Sequence, residues 1–325
     1  MADEPRLSVE SIAGQRPYQE DAVLARYLSD GRLLVAVADG MGGHAAGEVA
    51  SALALETLVS ALEDGQEIDS SFRMANARVF DMAQEPGKHG MGTTLVAALV
   101  DDGEYLVANI GDSRAYLVTV DGIRQISNDH SFVAEAVRRG QSLEEAMATP
   151  WRDALTRYVG TEGQAEVDVF GPFPVRDDSA LILCSDGLYK TLSDEDLRRI
   201  FLQSSTLDGA ARTLVSEAFD RGSDDNISVA IAEYGLLPRS AVQTTMPIDF
   251  TPPLEDDPGP ATATFEMDGE PTTPSLAGDL APDGSATAPT EDGVEAATPT
   301  SGLLRPVIVA AVLMVATLMA VLLTR

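Results

Sequence analysis

The chain has 325 residues, room for one large domain or two ordinary ones, and its hydrophobic share of 44% is enough for a packed core. A formal charge of −30 argues against a nucleic-acid binder, which neutralises phosphates with Lys and Arg, and gives an anionic lipid surface no electrostatic hold. Cys184 is the only cysteine, so no internal disulfide can form, which suits a reducing compartment.

Taken in chain order, the start is acidic and lacks an apolar h-region, so no signal peptide is expected. Residues 33–38 form an unbroken apolar run and read as a fully buried strand ending at Asp39. Residues 47–62 read as a helix with Val49, Leu53, Leu58 and Leu62 on its apolar stripe, and 71–83 as a second helix. Strands are expected over 93–100, 104–110 and 115–120, with a hairpin turn at 101–103. A turn at Asp121-Gly122 precedes a further strand over 123–126. Asp129-His130-Ser131 opens a helix, where Asp or Ser caps well. A short buried strand is expected over 181–184, helices over 194–201 and 210–219, and a closing strand over 227–233. Consecutive hairpins between helix pairs indicate an α+β domain built on antiparallel sheet, spanning residues 6–236.

The composition then changes. Residues 237–302 hold 11 Pro, 12 acidic residues and one basic residue, Arg239. Such a segment cannot bury enough apolar surface to offset its ordering entropy, so a disordered, extended linker is expected. Thr251, Thr273 and Thr298 each precede Pro, a pattern open to phosphorylation and equally open to composition alone. Residues 303–325 contain an uncharged apolar run of 17 residues, 307–323, between Arg305 and Arg325. At 1.5 Å per residue it is at the short end of a bilayer span. The expectation is a single C-terminal transmembrane anchor, with the large N-terminal part in the cytosol. Arg305 agrees with the positive-inside rule.

Five stretches place an acid beside glycine, asparagine or another acid: Glu20-Asp21, Asp39-Gly40, Gly111-Asp112, Asp186-Gly187 and Asp225-Asn226. Carboxylates at strand ends and tight turns, with no His or Cys cluster to compete, are the hard-oxygen set that Mg²⁺ or Mn²⁺ requires. The backbone carbonyl of Gly40 is a further available oxygen. Arg16, five residues before Asp21, is either a bidentate phosphate fork or one half of a surface ion pair. The glycine-rich turn after Asp39 lacks the spacing of a dinucleotide fingerprint or a P-loop.

The order and context of these stretches, with Gly92-Thr93-Thr94 and Ser223-Asp224-Asp225-Asn226, resemble the metal-dependent protein phosphatase family of the PP2C or PPM type, most closely its bacterial branch. The resemblance covers about residues 6–236. It implies an α-β-β-α sandwich of two antiparallel sheets flanked by helices, with Mn²⁺ or Mg²⁺ in a cleft at one end. It further implies hydrolysis of phosphoserine and phosphothreonine on proteins by water activated by two metal ions.

By motif, Asp39 would bridge both ions and Gly40 would lend its carbonyl. Asp186 and Asp225 would hold the first ion, and Glu20 the second, with Asp21 an adjacent supporting carboxylate. Asp112 with Asp186 would take a third ion, and Arg16 would bind the substrate phosphate. Cys184 would not be the nucleophile. Gln19 stands where the pattern usually has Asn, and Met41 where eukaryotic members carry a histidine. His44, three residues on, is left without an assigned role. The family implies action on phosphorylated proteins, opposing a Ser/Thr kinase; the expected anchor suggests a kinase in the membrane as partner, and a monomer is expected. Three other readings compete: a phosphatase-like binding module without metals, a nuclease or nucleotide phosphatase, and a tethered interaction protein whose acidic tail is the working part.

Overall fold

The structure is a computed structural model that describes residues 4–43, 45–235 and 237. His44, the rest of the expected linker and the expected anchor lie outside the described residues. Among the described residues no helix is long and apolar enough to cross a membrane.

The chain runs β1 (Arg6–Ile12), β2 (Asp21–Tyr27), β3 (Leu33–Met41), α1 (Ala45–Glu63), α2 (Ile68–Ala83), β4 (Gly92–Thr93), β5 (Leu95–Asp101), β6 (Glu104–Ile110), β7 (Arg114–Thr119) and β8 (Ile123–Gln125). It continues with α3 (Phe132–Arg138), α4 (Leu143–Met147), β9 (Asp168–Pro174), β10 (Ser179–Cys184), α5 (Asp186–Tyr189), α6 (Asp194–Gln203), α7 (Leu207–Asp220) and β11 (Ile227–Tyr234). One sheet has the order β1-β11-β10-β7-β8 and the other β2-β3-β5-β6-β9, with β4 beside β3. Neighbouring strands in both are antiparallel, as the hairpin-rich sequence led us to expect.

The apolar run of β3 has a simple cause, burial on both faces. Leu34, Ala36 and Ala38 pack with Leu58, Leu62 and Phe72 of the α1–α2 layer. Leu33, Val35 and Val37 alternate with them and pack against Leu117, Leu181 and Ala230 of the other sheet. The second sheet is covered in turn by α6 and α7, where Leu197, Phe201 and Leu214 meet Ile182 and Ile231. Each fully buried Leu, Val, Ile or Phe among them contributes about 1.5–3 kcal/mol. The result is four layers, helix-sheet-sheet-helix.

Several boundaries differ from the sequence reading. The strand expected over 93–100 is broken at Thr94, whose backbone N–H leaves the ladder and donates to the carbonyl of Asp39. The strand expected to stop at Asp39 continues to Met41, because Gly40 and Met41 pair with Thr93 and Gly92. The hairpin turn at Asp102-Gly103 is as expected, with both residues at positive φ, 44° and 81°. Ser131, not Asp129, caps α3, accepting from Ala134 N.

Candidate active site

β-Sheet register places the first two acids. Asp21 on β2 and Asp39 on β3 are direct partners, so their side chains lie on the same face, the one that points towards the other sheet. Val23 and Ala25 share that face on β2, and Val35 and Val37 on β3. The backbone of Asp39 is held by two threonines. Thr94 Oγ1 accepts from Asp39 N at 2.9 Å, and Thr93 Oγ1 donates to Asp39 O at 2.9 Å. Thr94 Oγ1 is in turn 2.7 Å from Ser113 Oγ, next to Asp112. Gly40 cannot be replaced without movement, because a Cβ there would meet the backbone carbonyls of Gly47 and Glu20.

The other three acids arrive from the second sheet and its connections. Asp112 lies between β6 and β7, where the chain crosses from one sheet to the other. Asp186 opens α5 directly after β10. Asp225 precedes β11. Ser185 ties the two sheets together at this end, donating to Asp21 Oδ2 at 2.7 Å while accepting from Ser228 N. Asn226 clamps the loop before β2. Its Oδ1 accepts from Glu20 N, and its Nδ2 donates to Ala13 O and Tyr18 O. Gln19 Oε1 accepts from Asp21 N.

The acids are close enough to perturb one another. Burial first, then the charges of Asp21, Asp186, Asp112 and Asp225, holds Asp39 well above the usual carboxylate range. Asp21 is pushed up to about 7 by burial, with Asp186 and Asp225 adding and two serine hydroxyls opposing. Asp112 is pushed up to about 7 by burial, then by Asp186, with Lys190 opposing. Burial and Asp186 also raise Asp225, against Arg16 and Lys190. Two cations reach in. Arg16 Nη2 contacts Asp225 Oδ2 at 2.7 Å and its Nε donates to Asp224 O. Lys190 Nζ contacts Asp186 Oδ2 at 2.6 Å.

Do these residues suit a divalent cation? Among the described residues no three His, Cys, Asp or Glu side chains are already drawn together as a metal cage. The chemistry of the set nevertheless fits one. Asp21 Oδ1 and Asp186 Oδ1 are buried oxygens without a hydrogen-bond partner, and the mutual repulsion of the aspartates is what a cation relieves.

Thus the structure brings Asp21, Asp39, Asp112, Asp186 and Asp225 together, with Gly40 and the backbone of Glu20 beside them and Arg16 on Asp225. The Glu20 carboxyl lies against Gly47 near the start of α1. The supporting Thr94, Ser113, Ser185 and Asn226 were not assigned roles from sequence. In sequence nothing sets them apart from other small polar residues. His130 is a buried histidine, not only a neighbour of a cap. Its Nδ1 accepts from Gly111 N and its Nε2 lies 3.1 Å from Asp168, which also pairs with Arg157. Burial keeps this imidazole below the usual histidine range. Cys184 faces the α6–α7 layer, away from the acids, and burial pushes its thiol up.

Acids thus converge at one end of two packed antiparallel sheets, and the lone thiol is turned away from them. The chain belongs to the Protein phosphatase 2C family, which it matches over residues 11–218. It is a serine/threonine phosphatase. The "Serine/threonine phosphatase stp" of Listeria innocua is 39% identical over 220 residues, 64% of this chain and 87% of that one. "Protein phosphatase PhpP" of Streptococcus pneumoniae is 33% identical over 69% of this chain and 96% of its own length. Among solved structures, the Mycobacterium tuberculosis phosphatase PstP/Ppp superposes with a TM-score of 0.63 at 34% identity, over 71% of this chain and 99% of that one. The catalytic domain of PstP, solved in complex with two manganese ions, gives a TM-score of 0.60 at 32% identity, over 71% of this chain and 98% of that one.

Proposed function

We propose that this phosphatase is metal-dependent, that it hydrolyses phosphoserine and phosphothreonine on proteins with water as the nucleophile, and that it works at the cytosolic face of a membrane. The observation that carries the metal reading is the buried set of mutually repelling aspartates with partnerless oxygens on Asp21 and Asp186. The manganese ions of the PstP relative support it.

Asp39, the Gly40 carbonyl, Asp186, Asp225 and Glu20 are the residues that would hold two Mn²⁺ or Mg²⁺ ions, Asp112 with Asp186 a third. When bound, such ions supply Lewis acidity to water and to the phosphoryl oxygens. The chain's own groups do the positioning. Thr93 and Thr94 fix the backbone of Asp39, and Ser185 fixes the rotamer of Asp21. Arg16, whose side chain is 47% exposed, would fork a phosphate once it leaves Asp225. The two readings of Arg16 are therefore compatible, the ion pair being its resting contact.

The test is Asp39→Ala and Asp186→Ala. Each should lose measurable Mn²⁺ binding by calorimetry and about 10³-fold in turnover of a phosphothreonine peptide, several kcal/mol of lost charge stabilisation. Parent-like hydrolysis by either folded variant would sink the proposal. The membrane reading rests on the apolar run at 307–323. A membrane Ser/Thr kinase is the partner we infer for it, on effective concentration.

A further inference from the structure

Three acids around the site have a cationic partner in direct contact: Asp225 has Arg16, Asp129 has Arg114, and Asp186 has Lys190. The first is accounted for by phosphate binding. The second braces the wall of the site, since Arg114 also lies over the Tyr189 ring and reaches Tyr116. Nothing so far explains the third. Lys190 is one of only two lysines in the chain, the other being Lys88. It follows the single turn of α5, four residues after Asp186, so the helix itself delivers its ammonium to Asp186 Oδ2 at 2.6 Å. Its charge is felt by Asp112 and Asp225 as well, and it interacts in return with Asp186 and Asp112. The ammonium therefore stands at the edge shared by Asp186 and Asp112. Asp186 keeps its other oxygen, Oδ1, buried and without a hydrogen bond.

We propose that Lys190 is a resident cation that competes with a divalent metal ion at the Asp112–Asp186 edge, and so sets how much free metal the enzyme needs. The inference rests on the metal reading above. An ammonium on a flexible stem is suited to this. The Lys190 side chain is 48% exposed, so it can swing to solvent when a doubly charged ion arrives, and it returns when the ion leaves. A guanidinium or ammonium merely bracing the fold would have no reason to sit on a carboxylate that also keeps a bare buried oxygen. The consequence is a graded response. Both carboxylates are partly neutralised without metal, and the weakest metal position fills only when free Mn²⁺ or Mg²⁺ rises.

The experiment is a Mn²⁺ binding isotherm on the full chain in detergent, read by calorimetry, for the parent and for Lys190→Gln, Lys190→Ala, Lys190→Arg and Lys88→Gln. Removing the Lys190 charge in either of the first two variants should tighten the weakest class of Mn²⁺ site up to about fivefold, since the ion no longer has to displace a half-exposed ion pair. Lys190→Arg keeps the charge and should stay close to the parent. Lys88→Gln removes a lysine that pairs with Glu85 and touches Met82 Sδ, and should change nothing. Unchanged Mn²⁺ affinity in both neutral variants overturns the inference and leaves the metal reading standing. A parent that binds no Mn²⁺ overturns both. An equal fall in melting temperature with and without metal, at constant affinity, would make Lys190 a structural brace and also overturn it.

Discussion

Asp21 and Asp39 face each other because β2 and β3 pair in one register, and each is held there by hydroxyls, not by opposite charge. That choice has a thermodynamic consequence. Without metal, burial pushes Asp21 and Asp112 up to about 7, so the native state holds protons that the unfolded chain, titrating near about 3.9, has already released. Stability contributed by this difference is fully present below about pH 4 and is lost as pH rises to about 7. Asp112→Asn removes one such group. In EDTA its melting temperature should gain on the parent between about pH 5 and about pH 8, by roughly 4 °C or more. Excess Mn²⁺ should abolish that gain, because a bound cation favours the ionised carboxylate. An advantage that shrinks as pH rises would show that Asp112 is not held protonated by its surroundings.

At the scale of elements, the site is a set of strand ends stapled by short polar side chains. Asn226 is the main staple, since its side chain makes three hydrogen bonds to the loop that ends at Glu20. Asn226→Ala should leave those backbone groups unsatisfied, costing about 1–3 kcal/mol in denaturant melts. It should also lower turnover about 10- to 100-fold, as supporting residues around a metal do. A variant with the parent's turnover would show that the loop is positioned by other means. The same scale explains what could be read in advance. β3, β10 and β11 were legible because burial on both faces leaves an apolar run, interrupted in β11 over 227–232 by Ser228 alone. β9 was not, because Pro172 and Pro174 speak against a strand and are tolerated here only at the sheet edge. β2 is likewise an edge strand of mixed polarity, and α5 is a single turn. The acids of the site were legible as types in turn-like contexts. Their supports were not, since a buried Ser, Thr or Asn looks in sequence like any polar residue until the strand facing it is known.

At the scale of the whole molecule, the phosphatase domain and the proposed anchor occupy different stretches of chain. The phosphatase family match ends at residue 218, the apolar run lies at 307–323, and the segment between carries almost no positive charge. The full chain should fractionate with membranes and a chain ending at residue 236 should not. In cells the anchored form should dephosphorylate a membrane kinase faster than the anchor-free form does, by about 10²-fold where the tether reaches. Equal rates on that kinase and on an unrelated soluble phosphoprotein would remove the reason for a tether.

If the aspartate cluster is a metal-dependent phosphatase centre, phosphate release must follow the metal. The purified protein is given a phosphothreonine peptide with Mn²⁺, with Mg²⁺ and with EDTA. Turnover is expected with at least one of the two ions and none with chelator, restored when the ion is returned. Turnover that persists unchanged in EDTA, or a folded protein inert with both ions, would contradict that reading of the cluster.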